Sequence, residues 1–256
     1  MTIAKIGFGV SALLCLALVG CGGGEEAVSA PVASAPPPAP AVDSSETGSL
    51  AGVVSFSNGD DPDVVIKMDA DPVCAGLHDG PVESETRLSD GGSLGNVFVY
   101  LKSGLEGSSF NAPAEPATLN QKGCVYTPRV SGMMVGQTLK VVNTDPTLHN
   151  VHAVPSENPE FNQAQPFQGM ELERVFEHAE VMIPFKCDVH PWMQSYLAVL
   201  DHPFFGVSGS DGSFSIEGIP AGTYTVEAWH ELLGTQNSEV TIAAGAAADV
   251  AFSFEG

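Results

Sequence analysis

Positive charge is scarce in this sequence: nine Lys and Arg stand against 31 Asp and Glu, a formal net charge of -22. A surface of that sign repels phosphate backbones, which excludes nucleic acid as a partner and favours basic proteins. Long hydrophobic runs are missing as well. The run from Ile6 to Val19 holds about fourteen residues broken by glycine, against the roughly 20 that a spanning helix needs. No stretch repeats apolar residues at helical spacing over an ordinary helix length, which argues against a helical body.

What is present begins with Lys5, the apolar run after it, and the ending Leu18-Val19-Gly20-Cys21. This resembles a lipoprotein signal peptide over residues 1–20. The resemblance implies cleavage before Cys21, lipid on its sulfur, and a place in the periplasm or at the cell surface, anchored to a membrane. Gly22, where inner-membrane retention has Asp, favours the outer membrane of a Gram-negative host. Residues 21–47 hold Gly22-Gly23-Gly24 and then Pro31, Pro36, Pro37, Pro38 and Pro40 among Ala, Ser and Val. Such a composition cannot build a core and reads as a partly extended tether.

From residue 48 onward, short apolar runs alternate with Gly, Pro, Asn and Asp, the pattern of many short strands, so the fold class is all-β. Strands are expected over 50–56, 97–101, 139–142, 151–154, 181–185 and 196–200. Residues 159–170 read as an irregular excursion. Asp211-Gly212, Gly218, Pro220 and Gly222 punctuate a second β unit over 201–256. Residues 48–93 are N-terminal strands that either join the central unit, 94–200, or open the second one, which would make the central unit an insertion.

Chemistry concentrates in Cys187-Asp188-Val189-His190-Pro191-Trp192-Met193, a CxxHxxM loop between two apolar strands. Thiolate and thioether select soft ions such as Cu(I), and imidazole suits both copper oxidation states. A second histidine is needed, and Leu148-His149-Asn150-Val151-His152 offers two. Strand alternation puts His149 on the apolar face with Val151 and Ala153, and Cys187 on the face of Val181, Ile183 and Phe185. After Cys15 leaves with the signal and Cys21 takes lipid, Cys74, Cys124 and Cys187 remain. An odd number in an oxidising compartment leaves one thiol free, paired between molecules, or held by a metal. With Cys187 in the ligand-like loop, Cys74 and Cys124 are left to pair with each other.

The segments TDPTLHNVHA and FKCDVHPWM resemble the two copper loops of the cupredoxins, above all the amicyanin and plastocyanin group, over residues 94–200. The resemblance implies a Greek-key barrel or sandwich with one mononuclear copper site. His149 and His190 would be its imidazole ligands, Cys187 its thiolate and Met193 its axial thioether, with Asn150 joining the two loops. It also implies an outer edge of His190 exposed for electron entry. The segment DGSFSIEGIPAGTYTVEAWH resembles the carboxypeptidase-regulatory-like, prealbumin-type sandwich, a smaller second unit. His152, His202 and His230 could form a second metal site, although domain packing explains them more simply.

The expected function is one-electron transfer with no enzymatic turnover, the partner being a redox protein such as a c-type cytochrome or a membrane electron donor. One alternative is copper handling or sensing without redox turnover, which predicts exchangeable metal. Another is a non-redox adhesion or carbohydrate-contact protein built on the second sandwich. A multicopper enzyme needs a further histidine cluster, and only seven histidines exist here.

Overall fold

The computed structural model describes residues 46–57, 65–87 and 92–256. The signal segment, the tether up to residue 45 and the lipidation candidate Cys21 lie outside the described residues. Among the described residues, no helix is long and apolar enough to cross a membrane.

Among the described residues, regular structure is almost entirely strand. In order these are β1 (Thr47–Ser57), β2 (Val65–Ile66), β3 (Val82–Glu83), β4 (Phe98–Ser103), β5 (Ala117–Lys122), β6 (Val125–Thr127), β7 (Val130–Met134), β8 (Thr138–Asn143) and β9 (His149–Ala153). They continue as β10 (Phe161–Gln165), β11 (Glu171–Val175), β12 (Glu180–Lys186), β13 (Gln194–Leu200), β14 (Phe205–Val207), β15 (Ser213–Pro220), β16 (Gly222–His230), β17 (Gly234–Ile242) and β18 (Ala247–Glu255). One five-residue helix, α1 (Pro72–Gly76), lies between β2 and β3.

Two pairs of open sheets face each other, and none closes into a barrel. In the first pair the orders are β10-β9-β12-β13-β7 and β11-β8-β5-β6; in the second they are β15-β1-β18 and β14-β4-β16-β17. Each pair encloses its own core. Leu139, Val141, Val151, Ile183, Phe185 and Leu197 fill the first, and Leu50, Val54, Val99, Val226, Ile242 and Phe252 fill the second. β1 and β4 both belong to the second sandwich: β1 pairs with β15 and β18, and β4 with β14 and β16. β4, which the sequence groups with the central unit, therefore lies across the boundary expected at residue 94. The first sandwich is an excursion between β4 and β14.

The two sandwiches share a third apolar cluster, and strand alternation explains it. In β4, Val99 and Leu101 face one core while Phe98 and Tyr100 face the other way; in β13, Leu197 and Val199 point inward while Ala198 and Leu200 point outward. Both strands are thus buried on two faces and read as continuous apolar runs. Phe98 stacks on Phe205, and a side chain at Gly132 would meet both rings at 2.7 Å, so β7 passes this junction only without one. At the rim the Arg129 guanidinium grips the Glu231 carboxylate with two bonds, 2.5 and 2.7 Å.

Two segments differ from the sequence expectations. The 159–170 stretch is not wholly irregular, because β10 pairs along the full length of β9. Its polar residues hide the strand: an edge strand needs few apolar side chains. In β12 the register shifts between Glu180 and Ile183, with Met182 at φ 63°, so Val181 turns to solvent instead of sharing the inward face of Ile183 and Phe185.

The loop after β9 is fastened by Glu180, whose carboxylate accepts N–H groups from Ser156, Glu157 and Asn158. Burial alone would raise its pKa, but these bonds outweigh it and hold the carboxyl below its usual 4.5. A depressed folded-state pKa stabilises fully above the unfolded value and is lost as pH falls through the folded one. Glu180→Gln is therefore expected to lower stability at about pH 7, with the gap to the parent protein closing as pH falls below the usual carboxylate range in urea unfolding.

Candidate metal centre

The donor atoms converge at one end of the first sandwich. β9 opens on His149, and the turn before it is shaped by Asn143, whose amide donates to the Thr147 carbonyl while its oxygen accepts the Asp145 N–H. Cys187 follows β12. Its N–H donates to the Met193 carbonyl and the Met193 N–H to the His190 carbonyl, so two backbone bonds close the CxxHxxM loop. His149 Nδ1 and His190 Nδ1 stand 2.9 Å apart, and Cys187 Sγ lies 3.8 Å from His190 Nδ1. The three donor atoms all lie within 4.8 Å of one another. Met193 is fully buried in the same apolar cluster as Cys187.

Both imidazoles are held by their outer nitrogens. His149 Nε2 donates to Asp145 and His190 Nε2 to Asp71, each at 3.0 Å. With the outer N–H committed, a neutral ring presents a lone pair at Nδ1. Two such lone pairs and a sulfur aimed at one point repel each other unless a cation lies among them.

Burial would lower the His149 pKa, but Asp145 and Cys187 outweigh it and push it up to about 9. Burial would raise the Cys187 thiol, yet His149 and the backbone N–H groups around it bring it below its ordinary value. Soft thiolate with two imidazoles is a donor set for copper, and zinc is a poorer match where a thioether completes the set.

Asn150 links the two loops: its side-chain oxygen accepts the Asp188 N–H at 2.7 Å, the Val189 N–H at 3.3 Å and the Cys187 thiol at 3.3 Å. Asn150→Ala removes the acceptor shared by the buried Cys187 thiol and the part-buried Asp188 and Val189 N–H groups and is expected to cost about 1–3 kcal/mol in denaturant unfolding of the metal-free protein.

Cys74 and Cys124 form a disulfide, and Cys187 is the free cysteine among the described residues. Cys124 sits at φ 55° after Gly123 at φ 66° in the two-residue turn between β5 and β6. A turn with positive φ at both positions suits the hairpin twist, and Asp145 accepts both N–H groups, which holds the non-glycine residue there.

The outer edge of His190, expected to be open, is covered. The ring is 2% exposed, with Asp71 on Nε2 and Cys74 Sγ 3.5 Å from the same atom. The 48–93 segment carries this cover, and nothing in its sequence beyond Asp71-Pro72 and Cys74 points to it. Asp145, four residues before His149, was also legible only as part of the loop.

The other histidines stay apart. His152 lies between Asp188 and Glu160, His202 donates to the Leu101 carbonyl, and His230 packs near Phe254. Burial lowers the His202 pKa. None of the three belongs to a metal-type cluster among the described residues.

Comparison with known proteins gives small and partial likenesses. The family model described as polysaccharide lyase family 4, domain II, matches residues 204–250. The match is not to the carboxypeptidase-regulatory-like family expected there: Asp-Gly and Pro-x-Gly turns recur in many small sandwiches and do not distinguish them. No curated protein matches the chain. Among solved structures, a Cu-containing nitrite reductase from Thermus scotoductus SA-01 is 21% identical over 38% of this chain and 25% of its own, with TM-score 0.32. A purple cupredoxin from Nitrosopumilus maritimus is 23% identical over 32% of this chain and 98% of its own, with TM-score 0.29. A mutant of amicyanin in the Cu(I) form is 20% identical over 40% of this chain and 97% of its own, with TM-score 0.30. The chain thus spans a quarter of the nitrite reductase's length.

Proposed function

We propose that this chain is a one-electron carrier that holds a single copper ion through His149, Cys187, His190 and Met193. The observation that carries the reading is the convergence of two imidazole Nδ1 atoms and one sulfur, each ring tied at its outer nitrogen to its own carboxylate. A bound copper ion supplies a one-electron couple. The chain supplies rigidity: Asp145 and Asp71 fix the rings, the backbone N–H groups of Asn150, Val189 and His190 hold the thiolate, and the apolar cluster around Met193 keeps water out. Donors that cannot move between oxidation states need little reorganisation, which favours fast electron exchange.

In this reading Cys21 anchors the protein by lipid to a membrane facing the periplasm or the cell exterior, and nucleic acid is not among its partners. Its partners are redox proteins, such as a c-type cytochrome or a membrane electron donor, and it performs no catalysis of its own.

The test is a redox cycle. The full chain loaded with one equivalent of copper, reduced and reoxidised in the presence of a Cu(I) chelator, is expected to keep its metal through repeated cycles. Transfer of the metal to the chelator on the first reduction would favour copper delivery over electron carriage.

A further inference from the structure

The cover over His190 is built from one short segment, residues 68–78, held at four points. Met68 enters the first core. Asp71 caps α1 with one carboxylate oxygen, accepting the Val73 N–H at 2.8 Å, and takes His190 Nε2 on the other. Cys74 is fully buried and bonded to Cys124. His78 donates to the Gly123 carbonyl at 2.8 Å, in the same turn that bears Cys124.

Of these, the disulfide is the one covalent tie, and it spans 50 residues of sequence. A cross-link closing a loop of that length restricts the open ensemble far more than a single hydrogen bond does. We propose that residues 68–78 are a plug over the metal centre, that the Cys74–Cys124 disulfide is its latch, and that metal enters with the latch open and is sealed in when the disulfide forms. The inference rests on copper being the ion held there.

Closing the latch forms the Cys74–Cys124 S–S bond. Two electrons and two protons leave the two thiols and pass to an exchange-active disulfide, whose own S–S bond breaks to give two thiols. A dithiol reductant runs the same exchange backward. Asp71 is a positioning residue in this scheme: it orients the His190 ring and docks the plug on it.

Two readouts on the full chain test this, one without metal. In the metal-free protein, iodoacetamide labelling of Cys187, followed on its own peptide by mass spectrometry, is expected to rise about a hundredfold when Cys74→Ser and Cys124→Ser are combined. Asp71→Asn, with the latch intact, is expected to raise it severalfold, which decides the matter if hydrogen exchange shows β8 and β13 of the double variant unfolded. Uptake of Cu(I) from a Cu(I)–chelator complex is expected to be about a hundredfold slower for the disulfide form than for dithiol-reduced protein. Labelling and uptake that ignore the latch and Asp71 overturn the proposal. Labelling that responds while neither form takes copper leaves the plug standing and removes the copper reading instead.

Discussion

Replacing Arg129 by Met is expected to destabilise the folded chain by about 3–5 kcal/mol. Arg129 and Glu231 meet at the rim between the sandwiches, with side chains only 11% and 4% exposed. Removing the guanidinium leaves a buried carboxylate with no counter-charge, and that desolvation penalty is the larger part of the cost. Combining Arg129→Met with Glu231→Leu removes both charges and is expected to recover most of the loss, because a buried ion pair contributes little beyond well-packed apolar groups. In thermal unfolding the single variant should fall by roughly 10 °C. A fall in the double variant as large as in the single one would show that the pair itself, and not the orphaned charge, carries the stability.

The second large effect concerns Cys187. Cys187→Ser keeps the size of the side chain and removes the soft donor, so Cu(I) affinity is expected to fall by more than the 10–100-fold associated with losing a residue that only supports a ligand. The metal-free protein should also change, since His149 loses one of the two partners that raise its pKa. Competition against a Cu(I) chelator reads the first effect, and the His149 ring resonances followed across pH read the second. His202→Ala, at a ring bonded to the Leu101 carbonyl and remote from the donor cluster, is expected to leave Cu(I) affinity unchanged.

How far the sequence reveals this molecule depends on which interactions carry local patterns. Alternation along a strand is local, and it points His149, Val151 and Ala153 to one side, where all three are buried. The soft-donor loop is local too, since Cys187, His190 and Met193 sit within one turn closed by two backbone bonds. The bulge at Met182 breaks alternation without any glycine or proline at that residue to announce it, so Val181 was misplaced. β10 was hidden because four of its five residues, Asn162, Gln163, Ala164 and Gln165, carry no large apolar side chain. It matters to the site, for Asn162 reaches Asp188 from there at 2.6 Å.

The least legible part is the part that joins distant stretches. Asp71 and His190 are 119 residues apart, and a carboxylate that caps a five-residue helix looks like any other N-cap until the fold brings an imidazole to its second oxygen. The odd cysteine count does point to Cys74 and Cys124 as a pair, yet it does not say that their bond lies against a metal ligand. Assignment of β4 failed for a similar reason: both its faces are buried, so its sequence says that it is central and not which sandwich it is central to.

The central claim is that Cys187, His149 and His190 bind one copper ion together, and the absorption spectrum of the full chain after one equivalent of Cu(II) tests it most directly. An intense thiolate-to-copper band is expected, absent in Cys187→Ser and retained in His202→Ala. A colourless Cu(II) adduct, or a band that survives loss of Cys187, contradicts the account.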